Sequence, residues 1–333
     1  MKVALIGSVS SSWRTLRGLI RGGVEVTCVL GLDESHADRV SDYQSMRELA
    51  GEHDIPFCAF HKIAEPNAVS FLQSHAPDLL FVVGLSQIAP VEVIATAKSG
   101  AIGFHPTPLP RGRGRAPVVW TILLEEKAAA NLFYLTEEPD AGDIIVQRAV
   151  DVKPTDYAQD LIDRTNDVLE EMVLELAPSI KTGTLPRTPQ DHSQATWYGK
   201  RTPEDGRIDW SLPAKEVRRL IRAASRPYPG AFTHDGGERR IVWRADRHDQ
   251  NDHQGTIGQV QRIDDGRGVL VQCGSGLLWL TEVTDASGKP VAPSTFRVGS
   301  KLGLQTDRII ESLEARVKAL EERLGNSAER RTS

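Results

Sequence analysis

The sequence contains few cysteines, methionines and aromatic residues, and it lacks any long apolar run. Its 333 residues include three cysteines, three methionines and 6% aromatic side chains. Cys28, Cys58 and Cys273 are far apart and odd in number, which argues against a disulfide framework or a C-x-x-C redox motif. No segment approaches the roughly 18 apolar residues of a membrane span, and the first residues are typical of a short strand rather than of a secretory leader. We therefore expect a cytoplasmic protein.

The chain also lacks a strong charge of either sign and the common metal and nucleotide motifs. The 40 Lys and Arg residues face 45 Asp and Glu residues, so no global field favours nucleic acid or an anionic membrane. No H-E-x-x-H or similar spacing occurs, and no metal site is predicted. Gly7 is followed by serines where a G-x-G-x-x-G loop has its further glycines. This Ser-rich turn opens a helix, and its backbone N–H groups could still hold a phosphate.

The first half of the chain alternates continuous apolar runs with helical patterns. Residues 2–7, 24–30 and 78–84 read as buried strands, whereas residues 41–53 and 90–98 read as helices. Strands that are buried on both faces are near-continuous in Val, Leu and Ile, as these are. The pattern predicts an α/β fold with an open, mostly parallel sheet.

The later part of the chain has a different pattern of apolar residues and turns. Residues 1–190 are expected to form one domain, and a polar linker follows. Residues 196–300 are expected to form a second, smaller β domain resembling a barrel, because short alternating runs separated by Gly-rich turns follow one helical piece. The predicted strands of this domain cover residues 240–243, 256–262, 269–273 and 277–283.

Residues 303–325 have the pattern of an amphipathic helix, and residues 326–333 are expected to be a disordered tail. Apolar residues recur at spacings of three and four along the helix, namely Ile310, Leu313, Val317, Leu320 and Leu324. Such a seam is typical of a short coiled coil and predicts a homodimer. The alternative is a helix that packs on its own domain.

One histidine and one aspartate stand out as candidate catalytic residues. His105 ends an apolar strand-like run, and ligands of open α/β sheets gather at the carboxyl ends of strands. Pro106, Pro108 and Pro110 then hold the following loop open. Asp140 lies in P-D-A-G-D, a turn placed to approach the histidine from a neighbouring strand. A histidine with a carboxylate partner is a common acid/base unit, although a lone histidine can also be purely structural.

The loop after His105 is rich in arginine. Arg111, Arg113 and Arg115 alternate with glycines, which let the backbone approach a ligand closely. Arginine recognises phosphate or carboxylate in a bidentate manner, so the loop is a candidate anion-binding element. The alternative is a solvated basic loop. With a base, an anion-binding loop and no metal motif, the pattern fits direct group transfer to an amine.

These segments resemble the 10-formyltetrahydrofolate-dependent formyltransferase family. The resemblance rests on H-P-T-P-L-P-R-G-R-G-R-A-P-V-V-W from His105 and P-D-A-G-D-I-I from Pro139. T-W-Y-G-K-R-T-P-E-D-G-R-I-D-W and R-P-Y-P-G-A-F are similar to the second domain of methionyl-tRNA and sugar-nucleotide formyltransferases. The resemblance covers roughly residues 1 to 290. It implies a Rossmann-like catalytic sheet, a C-terminal OB-like barrel and 10-formyltetrahydrofolate as co-substrate.

The resemblance also implies roles for individual residues. His105 matches the family's catalytic histidine and Asp140 the aspartate that orients it. An incoming amine would attack the formyl carbon while His105 takes or relays its proton. The residues implied to contact the folate are Gln87, Ile88, Ala89, Arg115, Thr136, Glu137, Glu138, Pro139 and Asp140.

One residue of the family pattern is missing. The family has Asn-x-His, in which the Asn amide stabilises the tetrahedral oxyanion, whereas this chain has Gly103 at that position. Losing one oxyanion donor costs about 3–4 kcal/mol in other enzymes. Gln87 is the candidate substitute donor, with pterin contact or a helix cap as the alternative. Asn131 is a poorer candidate because it lies within a strand-like segment.

The acceptor is expected to be the amine of a nucleotide-linked amino sugar. Residues 31–48 are acidic where a tRNA-acting enzyme is expected to be basic, and tight tRNA binding needs several phosphate contacts. Arg115, within R-G-R-A-P, is similar to the sugar-nucleotide branch. The alternatives are methionyl-tRNA, then a hydroxylamine in siderophore synthesis, then a folate-binding relative without catalytic activity.

Overall fold

The computed structural model describes residues 1–85, 87, 89–250, 252–304, 310–311 and 313–321. Nine of its strands lie before residue 200. They are β1 (Val3–Gly7), β2 (Val26–Leu32), β3 (Phe57–Phe60), β4 (Leu79–Val82), β5 (Ala101–His105), β6 (Arg113–Gly114), β7 (Ala128–Tyr134), β8 (Ile144–Val150) and β9 (Trp197–Tyr198). The α-helices are α1 (Ser10–Arg21), α2 (Arg47–Glu52), α3 (Pro66–His75), α4 (Val91–Ile94), α5 (Pro117–Leu124), α6 (Ala158–Thr182) and α7 (Ala214–Ala224).

Seven of these strands form the central sheet, in the order β3-β2-β1-β4-β5-β7-β8. The first five are parallel, and β7 and β8 run antiparallel at one edge. The sheet order reverses between β1 and β4. In such open sheets ligands bind at the carboxyl ends of the strands around this point. The prediction of a mostly parallel α/β sheet is confirmed.

Apolar residues are buried on both faces of the sheet. Along β1, Val3 and Leu5 belong to one core, whereas Ala4 and Ile6 belong to the other. Helices α1, α5 and α6 cover the first face, and α3 and α4 cover the second. This alternation explains why the strands read as continuous apolar runs.

An ion cluster joins α1 to α6. The Glu170 side chain on α6 is only 5% exposed, and it accepts hydrogen bonds from Arg14, Arg17 and Arg21 on α1. Burial alone would raise the pKa of Glu170, but the hydrogen bonds from the three arginines outweigh it and lower this pKa to about 2. The cluster therefore holds a charged carboxylate between the two helices.

Two predicted helices are shorter in the structure. Within residues 41–53 only α2 is helical, because Asp42 has a φ of 63° and Tyr43 pairs with Val9 in an isolated β-bridge. Within residues 90–98 only α4 is an α-helix. Both corrections concern residues close to the site described below.

A second sheet contains the later strands. These are β10 (Ala231–Asp235), β11 (Glu238–His248), β12 (Val260–Asp264), β13 (Gly268–Gln272) and β14 (Leu277–Asp285), in the order β10-β11-β14-β13-β12. The ladders from β11 through β14 and β13 to β12 are antiparallel. Backbone hydrogen bonds join Leu302 N–H to Gly258, beside β12, and Gly303 N–H to His234 of β10. The segment around residue 302 thus bridges the two edge strands, in keeping with a barrel-like second domain.

The described part of the chain divides into two compact units. Of the described residues, those within 1–206 and 219–231 form one unit, and those within 207–218 and after residue 231 form the other. The first unit extends past residue 190 because β9 pairs with β6 and Gln190 is buried within that unit.

Residues 310–311 and 313–321 are helical where the structure describes them. Four residues of the expected seam, Ile310, Leu313, Val317 and Leu320, are each about half exposed. Leu324 and the expected tail lie outside the described residues. Across the described part of the chain, no helix combines the length and apolar character needed to cross a membrane.

Candidate active site

A cavity of about 870 Å³ opens in the first unit at the carboxyl edge of the central sheet. His105 ends β5 and lies in its wall, beside residues that follow β4 and β7. Residues of the expected folate set line it as well, namely Gln87, Ala89, Arg115, Thr136, Glu137, Pro139 and Asp140. The structure thus brings together nearly all of the residues that the sequence predicted.

His105 is 5% exposed, and both of its ring nitrogens face polar groups. Nε2 lies 2.8 Å from the Gly112 carbonyl oxygen, which can only accept, so Nε2 is the nitrogen that carries the proton. Nδ1 lies 3.7 Å from Asp140 Oδ2. This separation is longer than a hydrogen bond but short enough for the carboxylate to stabilise a proton gained at Nδ1. The ring can therefore act as a base at Nδ1.

The turn that carries Asp140 is fixed by its own backbone. Asp140 has a φ of 56°, and its Oδ2 accepts a hydrogen bond from Gly114 N–H at 2.9 Å. Gly142 must be glycine because a Cβ there would collide with the Tyr134 carbonyl. Gln190 donates to the carbonyl oxygens of Asp140 at 2.9 Å and Gly142 at 2.7 Å. The carboxylate is thus held against the loop that follows His105.

The three arginines of that loop have different environments. Arg113 is 1% exposed and donates to Gln190 at 2.8 Å and to Glu138 at 3.2 Å. Its partners are protein groups, so it anchors the loop and is not the anion-binding group that its spacing suggested. Arg111 is exposed and does not line the cavity, whereas Arg115 does.

The position of the missing asparagine is filled by apolar side chains. A Cβ on Gly103 would lie 2.7 Å from Leu135 Cδ2 and 2.9 Å from Phe133 Cζ. Asn131 pairs with His105 across β5 and β7, and its amide donates to the carbonyl oxygens of His105 and Thr107. Asn131 therefore fixes the backbone on either side of Pro106. Because its amide nitrogen already donates to two carbonyl oxygens, it is not placed to donate to an oxyanion.

Gln87 lines the cavity, but its amide is bound to another segment of the protein. Its Oε1 accepts from Ile63 N–H and its Nε2 donates to the His61 carbonyl, both at 2.9 Å. The Nε2 amide has a second N–H, so the hydrogen bond to His61 fixes the Gln87 side chain without using all of its donors. Glu138 does not line the cavity and pairs with Arg113, and Ile88 lies outside the described residues.

Sequence reasoning missed a polar group on the cavity wall. Ser11, Asp42, Asn166 and Tyr228 also line the cavity, and Asp42 comes from the segment expected to be helical. The Asp42 carboxylate accepts a hydrogen bond from the Ser10 hydroxyl, which in turn accepts from Asn166 Nδ2 at 2.7 Å. The acidic composition of residues 31–48 was the only signal for this group.

The Ser-rich turn before α1 has its own internal partners. Ser12 Oγ accepts hydrogen bonds from the N–H groups of Ser8 at 3.0 Å and Val9 at 3.2 Å. Ser10 N–H donates to the Asp42 carbonyl oxygen. The N–H groups of Ser8, Val9 and Ser10 are therefore bound within the protein, next to an acidic side chain.

Other reactive side chains lie away from the cavity. Two clusters have metal-ligand spacing in the described residues, namely Asp33 with His36 and His61, and His248 with Asp252 and His253. Neither lines the cavity. The three cysteines are free, and burial raises the pKa of the Cys28 and Cys273 thiols to about 12. These two thiols are therefore protonated at neutral pH and are not nucleophiles.

Comparison with known families gives the site its context. Residues 1–176 match the family described as formyl transferase, and residues 200–301 match the one described as formyl transferase, C-terminal domain. The chain belongs to the formyl transferase family. The resemblance carried by the His105 loop and the Asp140 turn is confirmed.

Solved structures share the fold of this formyl transferase at low sequence identity. HypX from Aquifex aeolicus in complex with tetrahydrofolic acid is 20% identical with a TM-score of 0.63, over 89% of this chain and 46% of HypX. The chain thus spans about half the length of HypX. WlaRD, a sugar 3N-formyl transferase solved with dTDP and 5-N-formyl-THF, is 13% identical with a TM-score of 0.59, over 87% of this chain and 98% of WlaRD.

A second N-formyltransferase, from Helicobacter canadensis, was solved with folinic acid and dTDP-3-aminofucose. It is 14% identical with a TM-score of 0.59, over 87% of this chain and 100% of that protein. These likenesses show a shared fold.

Proposed function

We propose that this formyl transferase moves a formyl group from 10-formyltetrahydrofolate to the amine of a nucleotide-linked amino sugar. The observation that carries the proposal is the buried His105 in the cavity wall, with Nδ1 3.7 Å from the Asp140 carboxylate. Folate-bound structures of similar fold support the donor.

In the proposed reaction the neutral amine attacks the formyl carbon. A C–N bond forms, and the amine gives a proton to His105 Nδ1. The nearby Asp140 carboxylate stabilises the resulting imidazolium. The bond between the formyl carbon and N10 of the folate then breaks, and N10 takes a proton. The products are a formamide and tetrahydrofolate, with no net redox change.

The folate would lie along the wall formed by the segment after β4 and the turn after β7. Gln87 and Ala89 line it on one side, and Thr136, Glu137 and Pro139 on the other. The role proposed for Gln87 follows from its hydrogen bonds to residues 61 and 63: it holds this wall in place. Arg115 is the cationic residue of the lining.

Gly103 removes the side-chain oxyanion donor of the family pattern, and Leu135 and Phe133 fill its place. The developing oxyanion then relies on solvent and on the positive charge of the His105 imidazolium, whose two N–H groups face Gly112 and Asp140. Loss of one such donor costs about 3–4 kcal/mol in other enzymes, so we expect slow turnover.

The proposed acceptor follows from two observations. Sugar N-formyltransferases are among the proteins of similar fold, and one was solved with dTDP-3-aminofucose. The acidic segment from Asp33 to Glu48 disfavours the phosphate contacts that tRNA needs. Methionyl-tRNA and a hydroxylamine are the alternatives, followed by folate binding without catalysis.

The test is a panel of acceptors with 10-formyltetrahydrofolate. The protein is incubated with dTDP- and UDP-amino sugars, with methionyl-tRNA and with a hydroxylamine, and tetrahydrofolate is measured together with the mass of the formylated acceptor. Formylation of an amino-sugar nucleotide alone supports the proposal. Turnover with methionyl-tRNA and with none of the sugars contradicts it, and folate binding without turnover of any amine indicates a non-catalytic relative.

We also propose that the protein is a homodimer joined through the helical residues 310–311 and 313–321. Its seam residues Ile310, Leu313, Val317 and Leu320 are each about half exposed. Apolar residues at this spacing are stabilised when a second helix covers them.

A further inference from the structure

We infer that Asp42 binds the amine of the acceptor in its protonated form and so selects cationic acceptors; the bound ammonium loses one proton to solvent before the neutral amine attacks. The inference rests on the proposed formyl transfer and adds a specificity-determining residue to it. Asp42 is partly buried and lines the same cavity as His105 and Asp140. It comes from a segment that contacts α1 and not from the His105 loop or the Asp140 turn.

The Asp42 carboxylate is held in a fixed position. Its φ of 63° lies in the left-handed region, which Asp tolerates better than most residues. Hydrogen bonds on either side, from Ser10 N–H to the Asp42 carbonyl and from Gln44 N–H to the Ser8 carbonyl, tie this segment to the start of α1. The Ser10 hydroxyl then donates to the carboxylate. An oriented carboxylate of this kind loses little freedom when a ligand binds.

The carboxylate also lacks a cationic partner within the protein. Among the described residues no Lys, Arg or His forms an ion pair with Asp42. Burial raises its pKa, and the hydrogen bonds of Ser10 offset this only in part. Even a partly buried carboxylate loses some of its hydration, and a cationic ligand offsets that cost.

The surrounding groups favour a polar, hydrogen-bonding ligand. Asn166 is 4% exposed and lines the cavity. It donates to the Ser10 hydroxyl, which donates to the Asp42 carboxylate, so Asn166 helps to fix the carboxylate indirectly. Tyr228 lines the same wall, and its pKa is raised by burial and by the charge of Asp42. Carboxylate, amide and phenol groups together can bind the ammonium and hydroxyl groups of an amino sugar.

The charge of this wall also determines where a diphosphate can lie. Asp42 repels phosphate, and the start of α1 is already occupied by Ser12 Oγ and by Asp42. The diphosphate of an amino-sugar nucleotide therefore lies away from Asp42, and the sugar lies toward it.

The test compares the binding of dTDP-3-aminofucose and of dTDP-fucose, which has a hydroxyl in place of the amine. Calorimetry is performed with saturating 5-formyltetrahydrofolate, which occupies the folate site without transferring its formyl group. A hydrogen bond to a charged group predicts that the wild type prefers the amine about tenfold to a hundredfold. Asp42→Asn keeps the shape and tolerates the same φ, and this variant is expected to lose the preference.

Asp163→Asn is the matched control, because Asp163 is an exposed residue near enough to affect the pKa of Asp42 yet absent from the cavity lining. It makes the same change of charge and should retain the wild-type preference. A preference retained by Asp42→Asn, lost by Asp163→Asn, or absent from the wild type overturns the inference. Failure of the proposed function is a separate result: no tetrahydrofolate is released with any amine.

Discussion

Replacing Gly103 by Asn restores the side chain of the family pattern, and the structure predicts that it does not restore the function. The new Cβ would lie 2.7 Å from Leu135 Cδ2 and 2.9 Å from Phe133 Cζ, whereas ordinary contacts begin at 3.4 Å. Both neighbours must therefore move by several tenths of an ångström. Overpacking of this kind costs about 1–3 kcal/mol. For domains of this size each kcal/mol lowers Tm by about 2–4 °C.

We expect Gly103→Asn to unfold about 2–12 °C below the wild type by differential scanning fluorimetry, and to be no faster in formyl transfer. Adding Leu135→Ala removes the nearer obstacle and should recover part of the lost Tm. Gly51→Asn is the control, because a Cβ on Gly51 has no neighbour within 4 Å.

Two results would refute this reasoning. If Gly103→Asn has the wild-type Tm, the space beside His105 is not filled by Leu135 and Phe133. If the variant gains about 10²–10³ in turnover, the amide has reached the oxyanion, and the wild-type site is simply missing a donor that it can accommodate.

Four further predictions concern other parts of the molecule. Asp140→Asn keeps the left-handed turn but removes the charge beside His105, so the single-turnover rate should fall about 10²–10⁴-fold; an unchanged rate would contradict the role of Asp140. Gln87→Ala should raise KM for the folate and leave kcat unchanged, because the Gln87 amide holds the cavity wall in place through residues 61 and 63. A fall in kcat would instead identify Gln87 as the oxyanion donor. Because the pKa of Glu170 is lowered, its charged carboxylate stabilises the fold above pH 4.5, and this stabilisation is lost as the pH falls toward 2. Glu170→Gln should therefore lower the free energy of unfolding, measured with urea at pH 7, by about 2–3 kcal/mol, and the loss should shrink below pH 4. The exposed control Glu171→Gln should show neither effect. Truncation after Leu302 should convert a dimer to a monomer by light scattering, and an unchanged mass would reject the coiled-coil interface.

The sequence predicted those features that depend on local pattern. Continuous apolar runs predicted the parallel sheet because both faces of β1 and β2 are buried. His105 and Asp140 stood beside proline and glycine turns, so their position at the ends of strands could be inferred. Arg113 could not be assigned in the same way, because whether an arginine meets a ligand or Gln190 depends on residues 77 positions away.

The rest of the site depends on tertiary contacts. Residues 41–46 were expected to be part of a helix, but Ser41, Asp42 and Ser45 favour turns, and hydrogen bonds tie the Asp42 segment to the start of α1. Gly103 shows a missing amide in the sequence, yet only the structure shows that Phe133 and Leu135 occupy its place. The wall that contains Ser11, Asp42, Asn166 and Tyr228 comes from four separate segments, so no periodic pattern in the sequence predicts it.

The most direct test of the proposed function is formyl transfer by the wild type and by His105→Ala under identical conditions. With 10-formyltetrahydrofolate and dTDP-3-aminofucose, the wild type should form one N-formyl sugar nucleotide for each tetrahydrofolate released. His105→Ala should bind the folate with similar affinity and lose about 10²–10⁴ in turnover, as expected for removal of the proton acceptor. Equal turnover by the two proteins, or folate binding with no formylated amine from the wild type, would contradict a reaction centred on His105.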